Sequence, residues 1–186
     1  VGHPLSGRIQ PRFSRQEFFR RTGLDPEREL VTLLPGSRGG ELRRHLPALA
    51  AAVERIRQNR AVQFLLALPR GGFSDRLGEA GRQLVARTGI HICEGESWDA
   101  LRWADVALAA SGTVTVEGAL LGTPMVTYYR VTPLSWAMGR LLVDIPFYTM
   151  VNLIAGSRVV PELMQNEMTP DALARETLRL LDNREA

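Results

Sequence analysis

Short apolar runs alternate with longer stretches of helical period along most of this chain. Leu30-Val31-Thr32-Leu33-Leu34 stops at Pro35-Gly36, which predicts a buried strand ending in a turn. Residues 62–68, 90–93, 105–109 and 124–129 repeat the pattern and predict four more strands. After PGSRGG, Leu42, Leu46, Leu49, Ala50, Val53 and Ile56 recur at helical spacing, with Arg43, Arg44, Glu54, Arg55 and Arg57 on the opposite face. Helices are also predicted over 74–87, closed by Gly89, over 98–103, and over 113–121, ended by Gly122. Near the start, Ser14 and Glu17 have capping-box spacing and Gly23 supplies a stop. Thr169-Pro170 reads as the N-cap and first position of a last helix reaching Leu181. The rest of the C-terminal third reads as helical. The first twelve residues, punctuated by Pro4, Gly7 and Pro11, read as a linker, so the folded unit is expected over 13–186. Such alternation predicts an α/β fold: an open parallel sheet with helices on both faces.

Composition narrows the chemistry. The chain has 186 residues, enough for one domain with a real core. Hydrophobic residues make up 45% and charged residues 23%, which argues against disorder. All 23 basic residues are Arg. The lack of Lys excludes a P-loop lysine, a Schiff-base lysine and the usual pyridoxal chemistry. A net charge of +3 spread along the chain gives no footprint for nucleic acid. Cys93 is alone, so no internal disulfide forms, and it reads as a buried strand residue. His3, His45 and His91 lack ligand spacing, and a protein-built zinc site is not expected. His45 is expected on an exposed helix face. No secretory signal pattern and no apolar run of membrane-span length occurs. The sequence opens without Met, as a piece of a longer protein would.

Ligands on open parallel sheets bind beyond the carboxyl ends of the strands, which directs attention to three loops: PGSRGGE, EGESW and ASGTVTVE. In the first, Gly36, Gly39 and Gly40 permit close backbone approach, the next helix presents N–H groups, and Arg38 offers a planar cation suited to phosphate. The pattern is neither a Walker loop nor GxGxxG. The same residues also read as a plain strand–helix turn with a solvated Arg. In the third loop, Ser111, Gly112 and Thr113 open a helix N-terminus, and Glu117 lies four residues after Thr113. A carboxylate there suits a ribose diol. The plainer reading makes Ser111 an N-cap and Glu117 a partner of the helix dipole. Trp136, Met138, Leu141, Leu142, Val143, Ile145, Phe147 and Met150 form an apolar stretch, readable as core, as an inter-domain face, or as a patch toward lipid.

LLPGSRGGEL, ASGTVTVEGALLGTPMVTYYRV and VNLIAGSRVVPELMQ, in this order and spacing, resemble the C-terminal half of bacterial lipid A disaccharide synthases. The opening VGHPL resembles the entry to that half, and the likeness covers nearly the whole chain. The resemblance implies one Rossmann-like half of a GT-B glycosyltransferase. It implies transfer from UDP-2,3-diacylglucosamine to 2,3-diacylglucosamine 1-phosphate with loss of UDP, on the cytoplasmic side of the inner membrane. It implies neither metal nor cofactor. By the same likeness, Gly36, Ser37 and Arg38 face the diphosphate, with Arg38 stabilising the leaving UDP. Ser111, Gly112 and Thr113 form the second phosphate turn, and Glu117 holds the ribose. Glu94-Gly95 lies where the uracil meets backbone, and Asn152, Glu162 and Gln165 lie near the donor sugar. The general base would belong to an N-terminal half outside this chain, so the fragment alone would be inactive. The implied partners are donor, acylated sugar-phosphate acceptor and that other half, with a membrane surface and a second copy as further contacts. A self-standing nucleotide-sugar binding module, or another UDP-sugar enzyme such as an epimerase, is the alternative.

Overall fold

The structure is a computed structural model that describes residues 7, 9–71, 77–132, 135–136, 138 and 146–183. Among them, six parallel strands form one sheet: β1 (Leu30–Leu34), β2 (Gln63–Leu68), β3 (His91–Glu94), β4 (Val106–Ala110), β5 (Met125–Tyr129) and β6 (Glu162–Met164). Their order is β3-β2-β1-β4-β5-β6. Each of β1, β2 and β4 is buried along its whole length, as expected of strands covered on two faces.

The helices are α1 (Arg15–Thr22), α2 (Gly39–Asn59), α3 (Gly78–Thr88), α4 (Ser97–Arg102), α5 (Thr113–Leu120), α6 (Met150–Ala155) and α7 (Pro170–Asp182). Residues on α2, α3 and α7 pack with Val31, Leu33, Phe64, Val106 and Val126 on one sheet face. Phe18 and Phe19 of α1 and Leu101 of α4 pack with Leu30, Leu65 and Ala107 on the other. The expected α/β architecture, Rossmann-like with helices on both faces, is therefore the one observed. The capping signals also act as read. Ser14 and Glu17 close a reciprocal box, Gly23 ends α1 at φ 69°, and Thr169 caps α7 with Pro170 at its start.

Three expectations need correction or restriction. The C-terminal third is not wholly helical: β6 adds a sixth strand beside β5, pairing Glu162 with Thr127 and Met164 with Tyr129. Three residues are too few to show a period, and Pro161 in front masks the signal. The predicted start of the helix over 74–87 falls on residues 72–76, outside the described ones; α3 is seen from Gly78 to its Gly89 cap. Leu141, Leu142, Val143 and Ile145 of the apolar stretch also lie outside them. Of its described members, Met138 and Met150 are exposed, so those two are not core.

The segment leading into the domain is fastened at its last residues. The N–H groups of Arg12 and Phe13 both donate to Asp99 Oδ1, at 2.8 and 2.9 Å, and the Trp103 indole donates to Phe13 O. Asp99 is buried on α4. The chain thus enters beside the carboxyl end of β3.

Candidate functional site

The strand order reverses between β1 and β4, and the crevice beyond such a reversal is where this architecture accepts ligands. A cleft of about 340 Å³ opens there. Gly36, Ser37 and Arg38 line one wall, Ser111, Gly112 and Thr113 the other, and Glu117 stands deeper along α5. A second cleft of about 350 Å³ adjoins it, lined by Arg12, Gly95, Ser97 and Trp98, and Glu117 borders both. Together they form a continuous groove of the size small-molecule sites occupy. Two loops far apart in sequence thus meet across the strand ends, with Gly95 at the groove's other end.

The first wall is built around an internal carboxylate. Gly36 adopts φ +106°, where a side chain is strained, and a Cβ there would lie 2.5 Å from Glu41 Oε2. That oxygen accepts the N–H groups of Ser37 (2.8 Å) and Arg38 (3.0 Å), while Oε1 accepts the Tyr129 hydroxyl at 2.8 Å. The loop's own N–H groups at 37 and 38 are therefore engaged rather than free. Burial pushes the Glu41 carboxyl up, but the Arg38 N–H, the Tyr129 hydroxyl, the Ser37 N–H and the Arg38 charge outweigh it and hold it below the usual range. The Arg38 side chain is 80% exposed at the cleft, with its guanidinium 3.2 Å from Glu41 Oε1.

On the second wall Gly112, not Ser111, is the N-cap of α5, and it makes no side-chain cap bond. Ser111 instead donates its hydroxyl to Tyr148 O at 3.2 Å. The first N–H groups of a helix have no partner within it, so the start of α5 offers donors at the cleft. Glu117 is half-buried. Burial raises its carboxyl above the ordinary range, and a hydrogen bond from Trp98 offsets part of that.

The other anticipated residues lie apart from this groove. Glu94 borders a different surface cleft, with Arg21 and Cys93. Asn152 and Glu162 are buried in a closed network. Glu162 accepts from Tyr148 N, Thr149 N, Thr149 Oγ1 and Asn152 Nδ2, at 3.2, 2.9, 2.6 and 2.8 Å. Asn152 Oδ1 accepts from Val159 N and Val160 N at 2.8 and 2.9 Å. This knot fixes Tyr148, whose carbonyl holds Ser111, so the pair meets the cleft at one remove. Gln165 sits at the end of β6 with φ 51°, and its Nε2 is buried without a hydrogen-bond partner.

His45 overturns its expectation: it is fully buried. Its Nδ1 lies 2.8 Å from Pro35 O, and its Nε2 accepts the Arg130 N–H at 3.1 Å. The two partners place the proton on Nδ1 and leave the ring neutral. A signal was present, because His45 follows Leu42 by three residues and so lies on the apolar stripe. Glu41 and Tyr129 were also missed. The clue to Glu41 was an acid at the third position of a helix following a Gly turn.

The comparisons with known proteins fit this geometry. Residues 1–186 match the lipid-A-disaccharide synthetase family. The chain belongs to that family. A lipid-A-disaccharide synthase of Solibacter usitatus is 57% identical over 185 residues, covering 97% of this chain and 46% of that protein. One from Geobacter metallireducens is 37% identical over 188 residues, covering 98% and 47%. The chain thus spans about half the length of the curated relatives it matches. Among solved structures, Escherichia coli ADP-heptose LPS heptosyltransferase II superposes with TM-score 0.62 at 17% identity, over 92% of this chain and 52% of that one. A putative UDP-N-acetylglucosamine 2-epimerase from Listeria monocytogenes superposes with TM-score 0.56 at 18% identity, over 100% and 41%. At such identities the structures speak for the fold alone: half of a two-domain GT-B architecture. The family match, not the fold, separates this chain from epimerases. Among the described residues, no cluster of acidic, His or Cys side chains could hold a metal ion, and no helix is long and apolar enough to cross a membrane.

Proposed function

We propose that this chain is the donor-nucleotide half of a lipid-A-disaccharide synthase. It would bind UDP-2,3-diacylglucosamine in the groove at the β1/β4 reversal. The observation that carries this reading is the meeting of Gly36–Arg38 and Ser111–Thr113 across the strand ends, with Glu117 between the two clefts. In this reading Arg38 and the N-terminus of α5 face the diphosphate and offset the charge that develops as UDP departs. Glu117 accepts from the ribose hydroxyls. Gly95, Ser97 and Trp98 border the place of the base. Gln165, whose buried Nε2 lacks a partner, stands apart from the groove with Asn152 and Glu162, and these three keep that side in register.

The acceptor, 2,3-diacylglucosamine 1-phosphate, and the general base belong in this reading to the half of the family protein that this chain does not cover. Transfer needs donor, acceptor and base held together, so the chain alone should bind UDP and transfer nothing. The exposed apolar side chains Met150, Leu153, Ile154 and Val159 are suited to meeting that other half, a second copy, or a membrane surface on the cytoplasmic side.

Calorimetric titration with UDP, ADP and GDP tests the proposal. UDP should bind with a clear preference over both purine nucleotides. Equal binding of all three, or none of UDP, overturns it. In a coupled assay with both lipid substrates, turnover by this chain alone would overturn the half-enzyme reading.

A further inference from the structure

The phosphate loop already contains an anion. We propose that Glu41 is a positioning residue: its carboxylate acts as an internal anion that holds loop 36–38 in its receiving shape, and the Tyr129 hydroxyl locks it there. The ligand side of this inference rests on the donor-nucleotide reading above.

Three observations support it independently of any ligand. Two successive loop N–H groups, those of Ser37 and Arg38, converge on one carboxylate oxygen. The space the carboxylate fills is the space a Cβ at residue 36 would need, so Gly36 and Glu41 are fitted to each other. The lock comes from a different element, because Tyr129 ends β5 and bonds the other oxygen. The loop's earlier residues are held separately: Tyr128 donates to Leu34 O at 3.1 Å, and His45 meets Pro35 O. Glu41 therefore governs only residues 36–38. Because it has taken two loop N–H groups, phosphate recognition falls to the Arg38 guanidinium and the start of α5. Arg38 leaves the backbone from a fixed point only while Glu41 holds its N–H.

The test compares Glu41→Ala, Glu41→Gln and Tyr129→Phe in this chain, using UDP titration and amide hydrogen exchange resolved by residue. Glu41→Ala should weaken UDP binding by about tenfold or more and remove protection at the Ser37 and Arg38 amides, with β1 still protected. Glu41→Gln retains an acceptor oxygen and should stay within about threefold of the parent. Tyr129→Phe, which removes one hydroxyl and keeps Glu41, should fall between the two. Unchanged UDP affinity in Glu41→Ala, or unchanged protection at Ser37 and Arg38, overturns the proposal. Should Glu41→Ala fail to fold, Tyr129→Phe decides by the same two readouts. A parent chain that does not bind UDP overturns the donor-nucleotide reading instead. The exchange data then decide by themselves whether Glu41 holds the loop.

Discussion

Two polar clusters, joined through Ser111 and Tyr148, are built oppositely. The groove at the β1/β4 reversal keeps its ligand-facing groups exposed: Arg38 stands 80% in solvent, and the start of α5 carries no side-chain cap. The Thr149–Asn152–Glu162 knot keeps every group buried and paired, with four bonds onto one carboxylate. Both were candidates for ligand contact, the groove from its strand-end loops and the knot from the family resemblance alone. The difference shows that a polar motif shared with a family does not by itself mark a ligand contact. What separates them is satisfaction: a group already served by the protein stabilises it, and a group left open is available to something else.

Substitutions should divide along that line. The largest effect is expected in the knot. Glu162→Ala strands the N–H groups of Tyr148 and Thr149 and the Thr149 hydroxyl, and leaves the Asn152 amide only its bond to Val160 O. Each buried donor left unpaired costs about 1–3 kcal/mol, so a loss of about 3–5 kcal/mol in urea unfolding is expected. A loss near zero would mean that water serves these donors equally well and would erase the contrast. In the groove, Arg38→Ala should weaken UDP binding by about 1.5–3 kcal/mol, the size of a charged hydrogen bond. Its unfolding free energy should move by less than about 0.5 kcal/mol, since the side chain is exposed. Arg38→Lys should recover part of the binding, because the planar fork is lost. UDP affinity unchanged in Arg38→Ala would remove that residue from the site.

Glu117 sharpens the comparison, because it is half-buried like neither cluster. Its carboxyl is raised by burial, so its ionised form costs the fold stability at neutral pH rather than adding to it. Glu117→Ala should therefore weaken UDP binding by about 1–2 kcal/mol while leaving unfolding unchanged or slightly improved. Equal losses in binding and folding would move Glu117 to the structural side.

What the sequence disclosed follows the same physics. Strands buried on two faces write themselves as continuous apolar runs, so β1 was read to its exact ends and β2 and β4 to within a residue. Caps are local chemistry, so Ser14–Glu17, Gly23 and Thr169-Pro170 were readable as well. The groove's walls were found because strand-end loops are where this topology binds. Long-range hydrogen bonds leave no local pattern. Nothing in VNLIAGSRVVPEL states that Asn152 and Glu162 face each other, and nothing in TYYR states that Tyr129 reaches Glu41 across 88 residues. The burial of His45 had a local trace in the helical stripe, but its two backbone partners did not.

His45 is where groove and scaffold join, and it supplies the smallest effect, one confined to acid. It ties Pro35, at the edge of the groove, to Arg130 at the exit of β5. Burial lowers its pKa, against the opposing pull of Pro35 O and Glu41. The unfolded chain therefore takes up a proton near pH 6.5 that the folded ring refuses until lower pH. Stability from this group is complete above about pH 6.5 and is lost as pH falls toward the depressed value. Glu41 and Glu162 are lowered too, but their contributions fade only below about pH 4.3, where unfolded Glu takes up protons. The urea midpoint should thus fall below about pH 6.5 as His45 stability is lost, with part of that fall offset by Glu117, whose raised carboxyl takes up its proton first in the folded chain, and should fall again below about pH 4.3. His45→Gln should be less stable throughout yet lack the first of these falls. Protonation also removes the acceptor for the Arg130 N–H, so UDP affinity should weaken over the same interval in the parent and not in the variant. If the midpoint falls while UDP affinity holds, the groove is mechanically independent of β5, and His45 belongs to the scaffold alone.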